Sequence, residues 1–278
     1  MNPVLSSDTY RKFQDYIRLY LGLYFPEHNK YLLENGLRRR VAAVPCDSFE
    51  DYYHYLQFDS NRQQEYAELV NCLTTNETFF FRDQAQIDCL RLHLIPEIIT
   101  RRKHQQTLRI WSAGCSSGEE PYTLAIMFAE YFPELVNWDI EIIGTDLNEE
   151  VLAKARKGRY DDYAIRNITP RLLKKYFWLS DGHYEVQTSL QKRVKFLGLN
   201  LFDPSQIRVM QDIDLVLCRN VLIYFDEQGR QQIVSGFYNV LRKNCALMIG
   251  FSEVLHHSES LFCPSPWERT MVYYKKNN

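Results

Sequence analysis

The chain reads as an α/β domain preceded by an all-helical one, and three observations predict this. Up to about residue 74 every apolar repeat has helical spacing. Beyond Arg82, short strand-like runs alternate with helical ones, the pattern of a mainly parallel sheet. Between about 160 and 193 a hairpin signal interrupts that alternation. The chain therefore divides into a helical domain, 1–74, and an α/β domain, 75–278, with a small antiparallel β insert at about 160–193.

In the first domain Tyr10, Phe13, Ile17 and Leu21 recur at steps of three and four until Pro26 breaks the chain. Asn29 is the expected cap of a second helix carrying Leu32, Leu33, Leu37 and Val41, and Ser48 caps a third around Tyr52 to Leu56. Ser60 with Gln63 has the spacing of a capping box for a fourth, bearing Tyr66, Leu69, Val70 and Leu73. The run Arg38, Arg39, Arg40 is either a solvated helix face or a docking patch for an acidic partner.

In the second domain a helix is expected from about Asp83 to Ile99. The runs LRIWSAG (108–114) and IEIIGTD (140–146) read as strands flanking a helix at about 119–132. VKFLGLNL (194–201), IDLVLCRN (213–220) and ALMIGF (246–251) continue the series. Gln231 to Leu241 reads as helix, while Asp226 to Arg230 is too polar to assign. In the insert, a helix near 169–176 leads into YFWLSDGHYEV, whose Asp181-Gly182 predicts a type I′ turn.

Composition narrows the function. Hydrophobic residues at 45% and charged residues at 24% describe a folded globular protein. A formal charge of -2 gives no global attraction to nucleic acid or anionic membrane. Seven widely spaced cysteines without Cys-x-x-Cys argue against a disulfide framework or a zinc knuckle, so no metal is expected and a reducing cytoplasm fits best. The N-terminus lacks the apolar core of a signal peptide and no run of about 18 uncharged apolar residues occurs, so the protein is expected not to be membrane-embedded.

Ligands of open α/β sheets bind outside the carboxyl ends of the strands, so the strand-ending residues are the candidates. They are the loop Gly114 to Gly118, then Asp146, Asn200, Arg219 and Asn220. Gly114 lets backbone approach a ligand, but Glu119 and Glu120 stand where a phosphate loop places Lys and Ser or Thr, and they would repel a triphosphate. Asp146 can accept hydrogen bonds from ribose hydroxyls, or it can be an ordinary helix cap. Together these features suggest a nucleoside without a phosphate chain, of which S-adenosylmethionine is the commonest cofactor. Cys115 and Cys218 have no neighbouring base in sequence and read as small packing residues, as do Phe79, Phe80 and Phe81 taken singly.

Four blocks carry a family resemblance: TNETFFFRD (75–83), IWSAGCSSGEEPYTLAI (110–126), GTDLNEEVLAKARKGRY (144–160) and DLVLCRNVLIYFD (214–226). In order and spacing they resemble the CheR family of chemotaxis receptor methyltransferases. The resemblance implies a Rossmann-like S-adenosylmethionine-dependent methyltransferase domain and methylation of glutamate side chains on chemoreceptor cytoplasmic helices, with S-adenosylhomocysteine as product. Carried over by motif, Asn76, Thr78, Arg82, Glu120, Asp146, Asn200, Leu201, Asn220 and Val221 line the cofactor site, with Arg82 and Tyr224 nearest the reacting groups. The chain departs from the family pattern at Arg242-Lys243-Asn244-Cys245, where relatives carry a Pro-Gly-Gly turn. It departs again at Gly250-Phe251-Ser252-Glu253, where they carry Gly-His-Ser-Glu.

A rival reading is a non-catalytic adaptor that binds the same cofactor as a ligand; Arg82 and Tyr224 favour the enzyme. A nicotinamide dehydrogenase lacks its dinucleotide fingerprint here. Some members of the family grip a receptor tail peptide by strand addition to the β insert. The two-residue turn at Asp181-Gly182 leaves little concave surface beside it, so no dependence on a tail tether is expected here.

Overall fold

The computed structural model describes residues 4–277, which form two compact units. One comprises the residues up to Thr75 together with Tyr224–Arg230; the other comprises Asn76–Ile223 and the chain from Gln231 onward.

Four helices build the first unit: α1 (Ser7–Leu21), α2 (Lys30–Val41), α3 (Phe49–Phe58) and α4 (Arg62–Leu73). Most of their periodic residues are buried, Phe13, Ile17, Leu33, Leu37, Tyr52 and Leu69 among them, but Leu32 is exposed and Tyr66 half-buried. Ser48 caps α3 by accepting from Asp51 N at 3.1 Å, as expected. Two caps are otherwise than the sequence suggested. A 3₁₀ turn, Glu27–Asn29, feeds α2, so the Asn29 side chain makes no cap bond. The fourth helix starts at Arg62 without the Ser60 box, because Asp59 Oδ1 already accepts from Asn61 N at 2.8 Å and closes the preceding turn.

The arginine run is mostly spoken for. Arg38 pairs with Glu34 at 2.6 Å, and Arg40 makes two bonds, 2.8 and 2.7 Å, to the buried Glu65, which also accepts from Tyr52 Oη. A carboxylate so buried needs that partner, so Arg40 is part of the core and not a surface patch. The unassignable stretch around Asp226 belongs to this unit as well. Leu23 bridges Phe225, Tyr24 N donates to Tyr224 O at 2.9 Å, and Arg18 pairs with Asp226 at 2.6 Å. The helix that follows begins at Glu227, earlier than its apolar periodicity indicated.

The second unit is built on a seven-stranded sheet. Its strands are β1 (Thr107–Ala113), β2 (Asp139–Asp146), β6 (Val194–Gly198), β7 (Ile213–Cys218), β8 (Leu241–Ile249), β9 (Phe262–Trp267) and β10 (Thr270–Lys275). In space they run β6-β2-β1-β7-β8-β10-β9; the first five are parallel, and β10 is antiparallel to both its neighbours. A second sheet of β3 (Arg159–Tyr160), β4 (Phe177–Ser180) and β5 (His183–Val186), ordered β3-β5-β4, is the antiparallel insert. Its turn residues Asp181 and Gly182 take φ of 49° and 72°, the left-handed pair of a type I′ turn.

The central strands read as continuous apolar runs because both faces are covered: every residue of β7 is buried. The helix Glu119–Tyr131 is likewise buried on several sides, and the fully buried Trp111 donates its indole N–H to Thr145 Oγ1 at 2.9 Å. Strand β6 ends at Gly198, so Asn200 lies in the turn beyond it. The hairpin of β9 and β10 was not anticipated. Pro264 and Pro266 argue against a strand in sequence, yet β9 is an edge strand, where a missing N–H costs the ladder nothing. Asn244, with φ of 58°, takes the left-handed conformation a glycine would supply; the strand begins earlier than the sequence indicated, so Asn244 lies inside β8, where its register to β7 shifts.

Candidate active site

From β1 the chain moves outward through β2 to β6, then returns to the other side of β1 as β7. The order therefore reverses between β1 and β7, and a crevice outside their carboxyl ends is where such sheets bind ligands. Gly114 follows β1 and Asn220 follows β7. The two loops touch: a Cβ on Gly114 would stand 2.5 Å from Val221 Cγ2, and Gly114 has φ of 77°, so only glycine fits. Gly118, with φ of 92°, meets the same condition against Ala155 and Phe196.

Backbone amides fix the first loop. Gly114 N and Cys115 N both donate to Thr145 O at 2.8 Å. Ser116 N donates to Asp146 Oδ2 at 2.8 Å, and Asn148 N donates to Asp146 Oδ1 at 2.9 Å. Burial raises the Asp146 carboxyl above its ordinary range, and these amides pull it partly back. Each oxygen keeps lone pairs for hydroxyl donors. Asp146 is not the cap of the following helix; Asn148 is, accepting from Glu150 N and Val151 N.

Glu120 accepts from Ser112 Oγ at 2.7 Å and from Arg219 Nη1 at 2.8 Å. Its neighbour Glu119 is 3% exposed, and burial pushes its carboxyl up to about 7, with Ser117 Oγ its hydrogen-bond donor. Cys115 and Cys218 are buried, and burial holds both thiols well above their ordinary value, so they are neutral packing groups as expected.

The segment carrying Asn76, Thr78 and Arg82 is pinned from several directions. Ser116 Oγ donates to Asn76 O at 3.0 Å, Phe80 N to Ala164 O at 3.0 Å and Phe81 N to Thr123 Oγ1 at 3.1 Å. Phe81 and Asp83 have φ of 53° and 61°, a conformation that costs a residue such as Phe81 about 1–3 kcal/mol. Thr78 is half-buried. Arg82 donates to Glu77 O at 2.9 Å, and its guanidinium lies 5.6 Å from the Phe79 ring centre.

Two residues that sequence reasoning gave no role organise these loops. Arg219 donates from Nε to Gln86 Oε1 at 2.5 Å, from Nη1 to Glu120, and from Nη2 to Arg82 O at 2.7 Å and Asp83 Oδ2 at 2.8 Å. Glu253 accepts from Asn220 N and Gly250 N on Oε2, and from Val221 N and Ile223 N on Oε1, at 2.6–3.2 Å. Arg219 was visible only as a strand terminus, and Glu253 only as the last residue of a motif departure.

The second unit thus brings Asn76, Arg82, Gly114, Glu120, Asp146, Asn220 and Val221 onto one linked set of loops. Asn200 and the buried Leu201 lie on the turn after β6, where Asn200 Oδ1 accepts from Phe202 N at 2.9 Å. Tyr224 falls in the segment grouped with the helical unit, its hydroxyl 3.5 Å from Thr75 O. Asn220, with φ of 60°, buries its Oδ1 with no hydrogen-bond partner among the described residues. An orphaned acceptor of this kind fits a ligand that brings a donor, and a nucleoside carrying an ammonium group meets that requirement.

The chain matches the family model for the CheR methyltransferase SAM-binding domain over residues 76–270, and that for the CheR methyltransferase all-alpha domain over residues 8–74. It is 34% identical over 277 residues to chemotaxis protein methyltransferase 2 of Vibrio cholerae, covering 99% of this chain and 96% of that one. The chemotaxis protein methyltransferase of Borreliella burgdorferi is 36% identical over 92% of this chain and 89% of its own. That of Escherichia coli is 33% identical over 93% and 88%.

Proposed function

This chain belongs to the CheR methyltransferase family, and from that premise we propose that it transfers the methyl group of S-adenosylmethionine to glutamate side chains on the cytoplasmic helices of chemoreceptors. The observation that carries the reading is the character of the β1/β7 edge. It offers acceptors, namely the Asp146 and Glu120 carboxylates and the unpartnered Asn220 Oδ1, where a phosphate ligand would need donors. Such an edge suits a cationic nucleoside and repels a polyphosphate.

S-adenosylmethionine, when bound, supplies an electrophilic methyl on a sulfonium. Asp146 accepts from the ribose hydroxyls, Asn220 Oδ1 from a donor of the same ligand, and the Gly114–Val221 contact sets how closely the backbone approaches it. The accepting glutamate, with a pKa of about 4.3, is already ionised near neutral pH, so the chain needs no general base. What remains is alignment, which can contribute about 7–11 kcal/mol. Arg82 presents a planar fork to the substrate carboxylate, and Tyr224 is assigned one directional hydrogen bond to the reacting groups. Too strong a clamp would stabilise the anion before attack, so these groups orient it more than they neutralise it.

No helix is long and apolar enough to cross a membrane among the described residues. The seven unpaired cysteines support a cytoplasmic setting. Receptor capture in this reading is direct, without a tail tether, in keeping with the closed Asp181-Gly182 turn. The exposed edge strand β4, with Trp178 and Leu179 in solvent, is the observation that favours tail binding instead. Titrating receptor tail peptides decides: saturable binding at low micromolar concentration, lost on disrupting 176–187, selects the tether. The function itself is tested by incubating the protein with radiolabelled cofactor and receptor-containing membranes. Base-labile label on the receptor is the expected result, and tight cofactor binding without transfer would select the adaptor reading.

A further inference from the structure

Beside Arg82 stands a second arginine with an unusual setting. The Arg166 guanidinium carbon lies 3.4 Å from the Phe79 ring centre and 3.7 Å from that of Tyr163. The two ring centres are only 6.5 Å apart, with planes inclined at 75°, so the guanidinium is wedged between them. Arg166 Nη1 donates to Tyr163 O at 2.5 Å, which fixes one end of the fork. The nearby acid, Glu77, is taken by the Tyr163 hydroxyl at 2.5 Å, and neither Arg82 nor Arg166 is ion-paired with a carboxylate among the described residues.

Most buried or ordered arginines of this chain do carry a carboxylate: Arg18, Arg40, Arg109, Arg219 and Arg242 are examples. Aromatic faces hold a guanidinium by cation–π attraction while leaving its N–H edge for a planar anion. Because both guanidiniums lie against Phe79, their carbons can be no more than 9.0 Å apart. Side chains three or four positions apart on a helix have Cβ atoms about 5–6 Å apart, and both carboxylates can then reach such a pair.

We propose that Arg166, held between Phe79 and Tyr163, is a substrate-recognition residue that binds a second carboxylate on the receptor helix, one turn from the glutamate being methylated. The inference rests on the methyl-transfer reading above. Arg82 takes the reacting carboxylate and Arg166 the flanking one, so the pair selects acidic helices and fixes their register. Reading a flanking charge in the ground state and transition state alike lowers KM and leaves kcat unchanged.

The test compares parent and Arg166→Ala protein on a purified receptor cytoplasmic fragment, with tritiated-methyl cofactor and the modified glutamate mapped. Variant fragments carry Gln in place of each acidic residue three or four positions from that glutamate. Arg166→Ala is expected to raise KM about tenfold at low salt with kcat and S-adenosylhomocysteine affinity retained, since Arg166 is exposed and the fold does not depend on it. One of the Gln fragments should lose the same factor with the parent protein and nothing further with the variant. Additive losses, or an unchanged KM, overturn the proposal. Absence of methylation by the parent protein overturns the methyl-transfer reading and the inference with it.

Discussion

Replacing Glu253 by glutamine keeps the shape of the side chain and removes two acceptor positions from a buried knot. The carboxylate receives four backbone N–H groups: Asn220 and Gly250 on one oxygen, Val221 and Ile223 on the other. An amide offers one oxygen, so two of these donors face its NH₂ group. Each stranded donor costs about 1–3 kcal/mol, giving a total of roughly 2–6 kcal/mol before any donor–donor repulsion. At about 2–4 °C per kcal/mol for a domain of this size, the melting temperature should drop by roughly 5–20 °C. Because the same N–H groups hold Asn220 and Val221, affinity for S-adenosylhomocysteine should fall as well, roughly tenfold or more. Scanning calorimetry and titration calorimetry on Glu253→Gln, with the exposed Glu259→Gln as control, measure both effects. If the two variants melt together and bind equally, the four-donor clamp is not what positions the β7 loop.

Asp146→Ala should weaken S-adenosylhomocysteine by about 10–100-fold, the worth of a charged hydrogen bond, while altering the fold less. Unchanged affinity by titration in a folded variant refutes the ribose role. Tyr224→Phe should keep cofactor affinity within a few-fold and lower turnover, because only the hydroxyl is lost; equal rates at saturating cofactor would sink that role. Glu119 holds its proton up to about 7 in the native state against 4.5 ordinarily. Between those values the unfolded chain ionises while the folded one does not, so native stability declines as pH rises through this window, by about 3 kcal/mol in all. Glu119→Gln should therefore gain on the parent between pH 5 and pH 8 in denaturant titrations, and a constant difference across that range counts against the buried carboxyl.

The fold was legible where one residue pattern had one structural meaning. Buried parallel strands announce themselves as apolar runs, and Asp181-Gly182 specifies a two-residue turn with both φ values positive. The edge hairpin was not legible, since Pro264 and Pro266 are compatible with a strand only if that strand has a free edge, which is a property of the assembled sheet. The caps at Asn29 and Ser60 failed for a local reason: α2 is entered from a 3₁₀ turn, and the turn before α4 is closed by Asp59, whose Oδ1 accepts from Asn61 N. The segment around Asp226 could not be read because what holds it, Arg18, lies far away in sequence.

The proposed site shows the same division between residues assigned to the ligand and residues that arrange them. Gly114 and Asp146 could be proposed from the sequence because strand-end position and residue chemistry point the same way. Arg219 and Glu253 escaped because their partners are mostly backbone atoms or residues from distant segments: Arg219 reaches Arg82 O, Asp83, Gln86 and Glu120, and Glu253 reaches four amides. Neither contact leaves a mark in residue type or spacing. Yet Phe81, Asp83, Ser116 and Asn220 all occupy the left-handed region on these loops, and such positions persist only when surrounding bonds over-determine them. Arg219 supplies such a bond to Asp83 and Glu253 to Asn220, while Phe81 N donates to Thr123 Oγ1 and Ser116 N to Asp146. The proposed ligand edge is therefore held in shape by the chain's own bonds, and two of the residues that supply them, Arg219 and Glu253, stood in the sequence only as the end of a strand and the end of a motif.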